Sequence, residues 1–295
     1  MKATTKAHLA LFIVAVIYGL NYTLAKEVMN GYIGPRGFIF LRVVGAGFLF
    51  WVFHIFSGTP VKIHRNDWPR IALGGFFGIA ANQLLFFEGL HLSTPINASV
   101  IMTANPILVL IISAISLKEP LRKTRLIGVF LGAAGAIYLI IGRGEIALLK
   151  SDTALGNLLV LGNATCYAVY LVIIKPLMVK YPPVQVIKWV FTFGLLFVIP
   201  AGVGQFAAVQ WEDWTFSIYA QAAFVVVCTT FIAYLFNIYA LKIVSSTTVS
   251  IYIYLQPVIA TLVALALGKD ALSLREVLSA ALIFAGVYLV SFGKN

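Results

Sequence analysis

The sequence predicts an all-α integral membrane protein, with ten transmembrane helices arranged as two inverted five-helix repeats around a central cavity. Three observations carry this. The chain is 61% apolar and 11% charged, with a mean hydropathy of +0.98, far outside the range of soluble domains. Apolar runs close to the roughly 20 residues that a spanning helix needs recur ten times between short polar connectors. The second half of the chain also repeats the first at a nearly constant offset.

Taken in order, the predicted spans are 8–28, 36–56, 69–88, 95–117, 122–142, 154–178, 184–205, 214–239, 246–268 and 273–292. The first follows Lys2 and Lys6, is too long for the h-region of a signal peptide, and has no cleavage pattern after it, so it is expected to be retained. The second starts at Gly34-Pro35 and carries Arg42. The third contains Gly74-Gly75-Phe76-Phe77-Gly78, and the fifth Gly128 and Gly132, small residues that suit close helix approach. In the fourth, Pro106 follows Asn105 inside the apolar run. A proline there removes a backbone hydrogen bond and clashes with the carbonyl four residues earlier, costing about 3 kcal/mol in an ordinary helix interior. The ninth repeats the feature at Gln256 and Pro257. Bends are therefore expected at both prolines, freeing the carbonyls of Met102 and Ile253.

The duplication is read from the prolines outward. An offset of 151 pairs Pro106 with Pro257, Leu90 with Leu241, Ser99 with Ser250, Glu119 with Asp270 and Gly135 with Gly286. The first and sixth spans align at 149, pairing Tyr18 with Tyr167, Lys26 with Lys175 and Met29 with Met178. The connector 143–153 divides a first repeat, 1–142, from a second, 154–295. Five helices per repeat is an odd number, so the second copy enters the membrane from the opposite side. Such inverted repeats give secondary transporters two related conformations, one open to each face. Lys and Arg set the orientation: with the N-terminus in the cytoplasm, 14 of the 21 fall on the inner side, and both termini are predicted cytoplasmic in a bacterial inner membrane.

The net charge of +11 is scattered over connectors, which argues against a nucleic-acid partner. Cys166 and Cys228 lie inside apolar runs as small buried hydrophobes, implying neither a disulfide framework nor a metal site. No G-x-x-x-x-G-K-[ST], H-E-x-x-H or G-x-S-x-G motif occurs, so no ATP-driven pump, no hydrolase, no catalytic residue and no cofactor is expected. A secondary carrier remains, with a channel or lipid scramblase as the other class.

Several runs together carry a family likeness. The first half has Tyr18-Gly19-Leu20-Asn21 with Lys26, Phe40-Leu41-Arg42, Phe87-Glu88-Gly89-Leu90, Ser93-Thr94-Pro95-Ile96-Asn97-Ala98-Ser99, Asn105-Pro106 and Lys118-Glu119-Pro120-Leu121. The second has Tyr239-Ala240-Leu241, Ser245-Ser246-Thr247, Gln256-Pro257 and Lys269-Asp270-Ala271-Leu272. The chain resembles, over nearly its whole length, the EamA-type branch of the drug/metabolite transporter superfamily. That resemblance implies a ten-helix, two-repeat carrier with a central cavity, often an exporter of amino acids or other small metabolites. Tyr18 departs from the tryptophan usual in the family, and Asp270 from the usual glutamate.

Polar side chains at mid-membrane depth are candidate functional groups. They are Tyr18, Asn21, Asn82, Gln83, Asn105, Asn163, Tyr167, Tyr170, Thr229, Thr230, Tyr252, Tyr254 and Gln256. Each taken singly suits an interhelical hydrogen bond worth about 0.6 kcal/mol; as a set drawn from six spans they suit a cavity lining. The set contains no cation, whereas a dianion such as a sugar phosphate wants two or more. The expected partner is an amphipathic small molecule, an amino acid or related metabolite, moved through the lipid bilayer by a monomer or a dimer.

Arg42 is expected to pair with Glu88, or with Glu27, and stands either as a structural ion pair or snorkelling cation, or as a gate or solute-carboxylate contact. Lys26 and Lys175 occupy equivalent places near opposite faces and are expected to snorkel. Glu119 and Asp270 are expected as helix N-caps. A facilitated or exchange mechanism competes with proton antiport, for which Glu88, His91 and Glu27 are the candidate proton sites.

Overall fold

A computed structural model describes residues 2–57, 61–93, 95–119, 121–141, 151–266 and 274–292. The connector at 143–150, Pro120, residues 269–272 with Asp270, and Lys294 lie outside the described residues. Every regular element among the described residues is helical: α1 Ala3–Met29, α2 Pro35–Ser57, α3 Trp68–Gly75, α4 Asn82–Leu92, α5 Pro95–Met102, α6 Asn105–Ser116, α7 Lys123–Ile141, α8 Ser151–Lys180, α9 Pro183–Ala207, α10 Phe216–Phe224, α11 Ala233–Ile243, α12 Ser246–Ile251, α13 Leu255–Ala266 and α14 Leu274–Phe292. In lipid a backbone must satisfy its own polar groups, and helices do so within each segment.

Six described segments are long and apolar enough to cross a membrane: Ala3–Met29, Pro35–Phe56, Arg65–Leu92, Ala154–Lys180, Pro183–Ala207 and Phe216–Ile243. Two shorter apolar helices, Val100–Ser116 and Val277–Phe292, accompany them. The protein is a multi-pass membrane protein. Its surface agrees, with Phe48, Ile55, Phe56, Ile115 and Val179 all exposed. Aromatic groups gather at both ends of the bundle, Trp51, Trp68 and Trp189 at the end that holds the N-terminus and Trp211, Trp214 and Tyr219 at the other, as interfacial belts do.

Two irregularities recur in both halves. The helix from α3 to α4 passes through a π-helical stretch at Phe76–Ala81, and the helix from α10 to α11 through another at Val225–Ile232. The offset of 151 carries 76–81 onto 227–232, inside the second stretch. There the Thr230 hydroxyl donates to the Val225 carbonyl, five residues back, at 2.7 Å. The second irregularity is the expected proline break. Before Pro106 the helix tightens, with Thr103 and Ala104 amides bonding the carbonyls of Val100 and Ile101 at 3.0 Å. Before Pro257 a 3-10 turn, Tyr252–Tyr254, separates α12 from α13.

Glycines let the helices touch. A Cβ on Gly286 would lie 2.6 Å from the Gly128 carbonyl oxygen, and one on Gly128 would lie 2.8 Å from that of Gly286. At this point α7 and α14 meet backbone to backbone. The bundle is also unequal at its two ends. At the N-terminal end α6 packs on α12, and α8 packs on both α11 and α12. The repeat counterparts of those contacts, α13 with α5 and α1 with α4 and α5, are scarcely made among the described residues. Among the described residues the two halves pack more extensively at the N-terminal end than at the other, where Met29 packs against the cluster of Leu90, Ala98 and Val160.

Candidate functional site

A cavity of about 100 Å³ lies between the two halves. From the first half, α1 contributes Tyr18 and Asn21, α2 Arg42, α4 Asn82, Gln83, Phe86 and Phe87, and α5 its last residue, Met102. From the second half, α8 contributes Asn163 and Tyr167, the π-helical stretch Thr229, and α11 Tyr234. Ile253 and Gln256, on either side of the second break, complete the wall. Met102 and Ile253 stand 151 residues apart, so the broken helices face the cavity from equivalent points.

A carbonyl of the first break is satisfied from the other half. The Tyr254 hydroxyl donates to the Thr103 carbonyl at 3.0 Å. These two positions are also 151 apart, and so are Gln83 and Tyr234, where the Gln83 Nε2 donates to the Tyr234 hydroxyl at 3.2 Å. Tyr234 in turn donates to the Gly78 carbonyl at 3.1 Å. Because that hydroxyl's proton is committed to a carbonyl, Gln83 must present its nitrogen to it, which leaves Oε1 as an acceptor without a partner. The same argument holds for Asn163, whose Nδ2 donates to the Asn82 carbonyl at 2.8 Å and whose Oδ1 has no partner.

Arg42 is 4% exposed. Its expected partner is engaged elsewhere: Glu88 pairs with Arg36 at 2.6 Å. The second choice, Glu27, is exposed and makes no ion pair among the described residues. Arg42 instead donates from Nε to the Thr230 hydroxyl at 3.1 Å and stacks 4.7 Å from the Phe87 ring centre. Its Nη1 has no partner. Arg42 sits deep enough for its head to reach the cavity while Glu88 stays at the bundle end, so depth separates the two. No Asp or Glu stands among the described residues lining the cavity, which therefore carries one positive charge.

Of the sequence-derived set, Tyr18, Asn21, Asn82, Gln83, Asn163, Tyr167, Thr229 and Gln256 are brought together on this wall. The others are not. Asn105 is fully buried and donates to the Ala164 carbonyl at 2.8 Å, fastening α6 to α8. Tyr170 lies against Gly78, whose added Cβ would be 2.2 Å from its ring. Thr230 stands behind Arg42, and Tyr254 behind the first break, against Gly132. Tyr252 bonds His8 at 2.8 Å near the N-terminal end. Lys26 is exposed, whereas Lys175 is half-buried and donates to the carbonyls of Leu241 and Val244. Glu119 pairs with Arg125 at 3.3 Å. Hydropathy gives a residue's place along its helix and says nothing of its rotation about that helix. Tyr234 was missed, although its position 151 residues from Gln83 was the available signal.

Comparison with known proteins places the chain. The model of the "EamA-like transporter family" matches residues 5–141 and again 154–292. A protein of Bacillus subtilis (strain 168) named "Uncharacterized transporter YyaM" is 26% identical over 293 residues, covering 96% of this chain and 94% of that one. An "Uncharacterized transporter" of Archaeoglobus fulgidus is 26% identical over 291 residues, covering 97% and 98%. A "Probable terminal-alkyne amino-acid exporter" of Streptantibioticus cattleyicolor is 25% identical over 294 residues, covering 97% and 94%. One solved structure, described as "Crystal structure of protein", superposes with a TM-score of 0.77 at 20% identity over 97% of both chains, so the fold is shared.

Proposed function

We propose, from the premise that this chain belongs to the EamA-like transporter family, that it is a secondary carrier exporting amino acids or similar small amphipathic metabolites across a bacterial cytoplasmic membrane. In this reading ten spans form two inverted repeats, 1–142 and 154–295, both termini face the cytoplasm, and the cavity is the solute site worked by alternating access. The observation that carries the reading is the cavity's chemistry: one guanidinium with a free nitrogen, no lining carboxylate among the described residues, and unpartnered amide oxygens nearby. A desolvated cation without a counter-charge is costly, so a solute carboxylate at Arg42 is favoured. The oxygens of Gln83 and Asn163 suit an ammonium, and Phe86, Phe87 and Tyr167 suit an apolar side chain. Size supports the same class, since the cavity falls well below the 300–1,000 Å³ or so of drug-sized pockets. A relative described as a probable terminal-alkyne amino-acid exporter agrees. Among the described residues the lining offers no acid to carry a proton, which favours gradient-driven or exchange transport over antiport.

Counterflow of labelled amino acids in proteoliposomes tests this. Saturable exchange is expected, competed by free amino acids but not by their decarboxylated amines. Arg42→Met is expected to weaken solute affinity about tenfold or more, the loss of a charge-assisted hydrogen bond. Unsaturable flux, or equal competition by the amines, would sink the proposal.

A further inference from the structure

Lys175 and Lys26 are sequence equivalents with opposite environments. Lys175, near the end of α8, is half-buried and holds the carbonyls of Leu241 and Val244, at the C-terminal end of α11. Those carbonyls belong to the last turn of a helix, where four oxygens lack intrahelical partners and a cation is favoured. The contact ties α8 to α11 at the N-terminal end, the end where these helices pack. Subtracting 149 from Lys175 gives Lys26, and subtracting 151 from Leu241 and Val244 gives Leu90 and Ser93, at the C-terminal end of α4. Lys26 is exposed and bonds none of these carbonyls; at this end Met29, the last residue of α1, packs against the cluster of Leu90, Ala98 and Val160, but α1 and α4 run together far less closely than α8 and α11. The acidic neighbour is duplicated in sequence as well: Glu119, which acts electrostatically on Lys175, is matched by Asp270.

We propose that the two lysines are reciprocal latches. In the conformation described here the Lys175 latch is shut and the Lys26 latch is open. When the carrier reverses, Lys175 releases the end of α11 while Lys26 takes the carbonyls of Leu90 and Ser93 and ties α1 to α4. The argument is the exchange of environments between equivalent residues: two copies of one chain pattern adopt two arrangements in one conformation, and the opposite conformation assigns each arrangement to the other copy. Opening either end then costs one ammonium its carbonyls and gives the other ammonium the same two bonds, so the conformations stay close in free energy. This inference rests on the alternating-access reading above.

The test measures the two ends separately in the full-length protein in nanodiscs, after replacing Cys166 and Cys228 by serine. Spin labels at Val179 and Lys242 report the N-terminal end, and labels at Asn30 and His91 the other. Lys175→Gln is expected to raise the ratio of open to closed at the N-terminal end about tenfold or more. Lys26→Gln is expected to shift both distances in the opposite sense. Lys175→Arg, which keeps a cationic donor, is expected to restore distances close to wild type. If the two Gln variants shift the ends in the same direction, or neither shifts them, the latch is wrong. Counterflow by the unsubstituted carrier is scored independently: its absence alongside opposite shifts would discard the carrier reading and leave the latch standing.

Discussion

Where α4 crosses α8, Asn82 and Asn163 reach into each other's backbone, Nδ2 of each donating to the carbonyl of the other at 3.3 and 2.8 Å. At the equivalent crossing of α11 over α1, offsets of 151 and 149 carry these positions to Ala233 and Val14, which pack as a small apolar cluster with Ile17. Duplication thus fixed where the helices cross without fixing what seals them. Directional amides hold α4 and α8 in one register, so they favour moving as a unit. That cluster has no bond of its own, and a single longer bond ties α1 to α11 among the described residues, the Asn237 Nδ2 donating to the Tyr18 hydroxyl at 3.4 Å, so slipping along α1 and α11 is expected to be cheaper. One copy is expected to supply the stiffer pair of helices and the other the looser pair.

The strongest way to break this comparison is to attack the crossing where the copies are alike. Gly135 and Gly286 are equivalents on α7 and α14, and a Cβ on either would meet backbone, 2.9 Å from the Ser279 carbonyl oxygen or 2.6 Å from that of Gly128. Backbone cannot rotate away as a side chain does. Gly286→Ala is expected to cost about 3 kcal/mol and Gly135→Ala about 2, the range of overpacked cores, read as lost thermal stability in detergent. If one proves silent while the other is severe, the copies are not equivalent even at their closest contact.

A smaller effect comes from the bond that crosses between copies at the proline breaks. Tyr254→Phe removes the donor to the Thr103 carbonyl while keeping the ring against Gly132. A loss of about 1 kcal/mol is expected, the ordinary net worth of such a bond, together with a changed temperature dependence of counterflow, because the bond spans helices from both halves. An unchanged stability would show that water serves the carbonyl equally well.

These contacts also mark what could be read from the sequence. Hydropathy placed the apolar runs, and the proline pairs predicted interruptions that appear at 103–104 and at Tyr252–Tyr254. The repeat offset was legible because two copies of one fold keep the same buried small residues. Rotation was not. Asn105 and Gln256 are equivalent, yet one bonds α8 and the other lines the cavity. Sequence offers Glu88, or Glu27, as a partner for Arg42 without choosing between a structural and a solute-facing role, and the structure gives Glu88 to Arg36, nearer the start of the same helix. Neither π-helical stretch was foreseen, because the extra residue per turn leaves no mark in an all-apolar run.

The finest test of the comparison is to convert the amide seam into the apolar one. Asn82→Ala and Asn163→Val reproduce the residues of the α1 and α11 crossing. Each is expected to cost about 0.6 kcal/mol, the mean for hydrogen bonds between helices in a membrane. The informative quantity is their coupling. Side chains in contact usually couple by 0.5–3 kcal/mol or so, but here each amide bonds the other residue's backbone, which both substitutions leave in place. Removing one bond does not remove the other. The double variant is therefore expected to equal the sum of the singles within about 0.5 kcal/mol, measured by reversible unfolding in mixed micelles. A coupling above about 1 kcal/mol would mean that the amides bond each other rather than the carbonyls, and that the seam is a side-chain clasp able to open in one step. In that case α4 and α8 would lose the fixed register that sets them apart from α1 and α11.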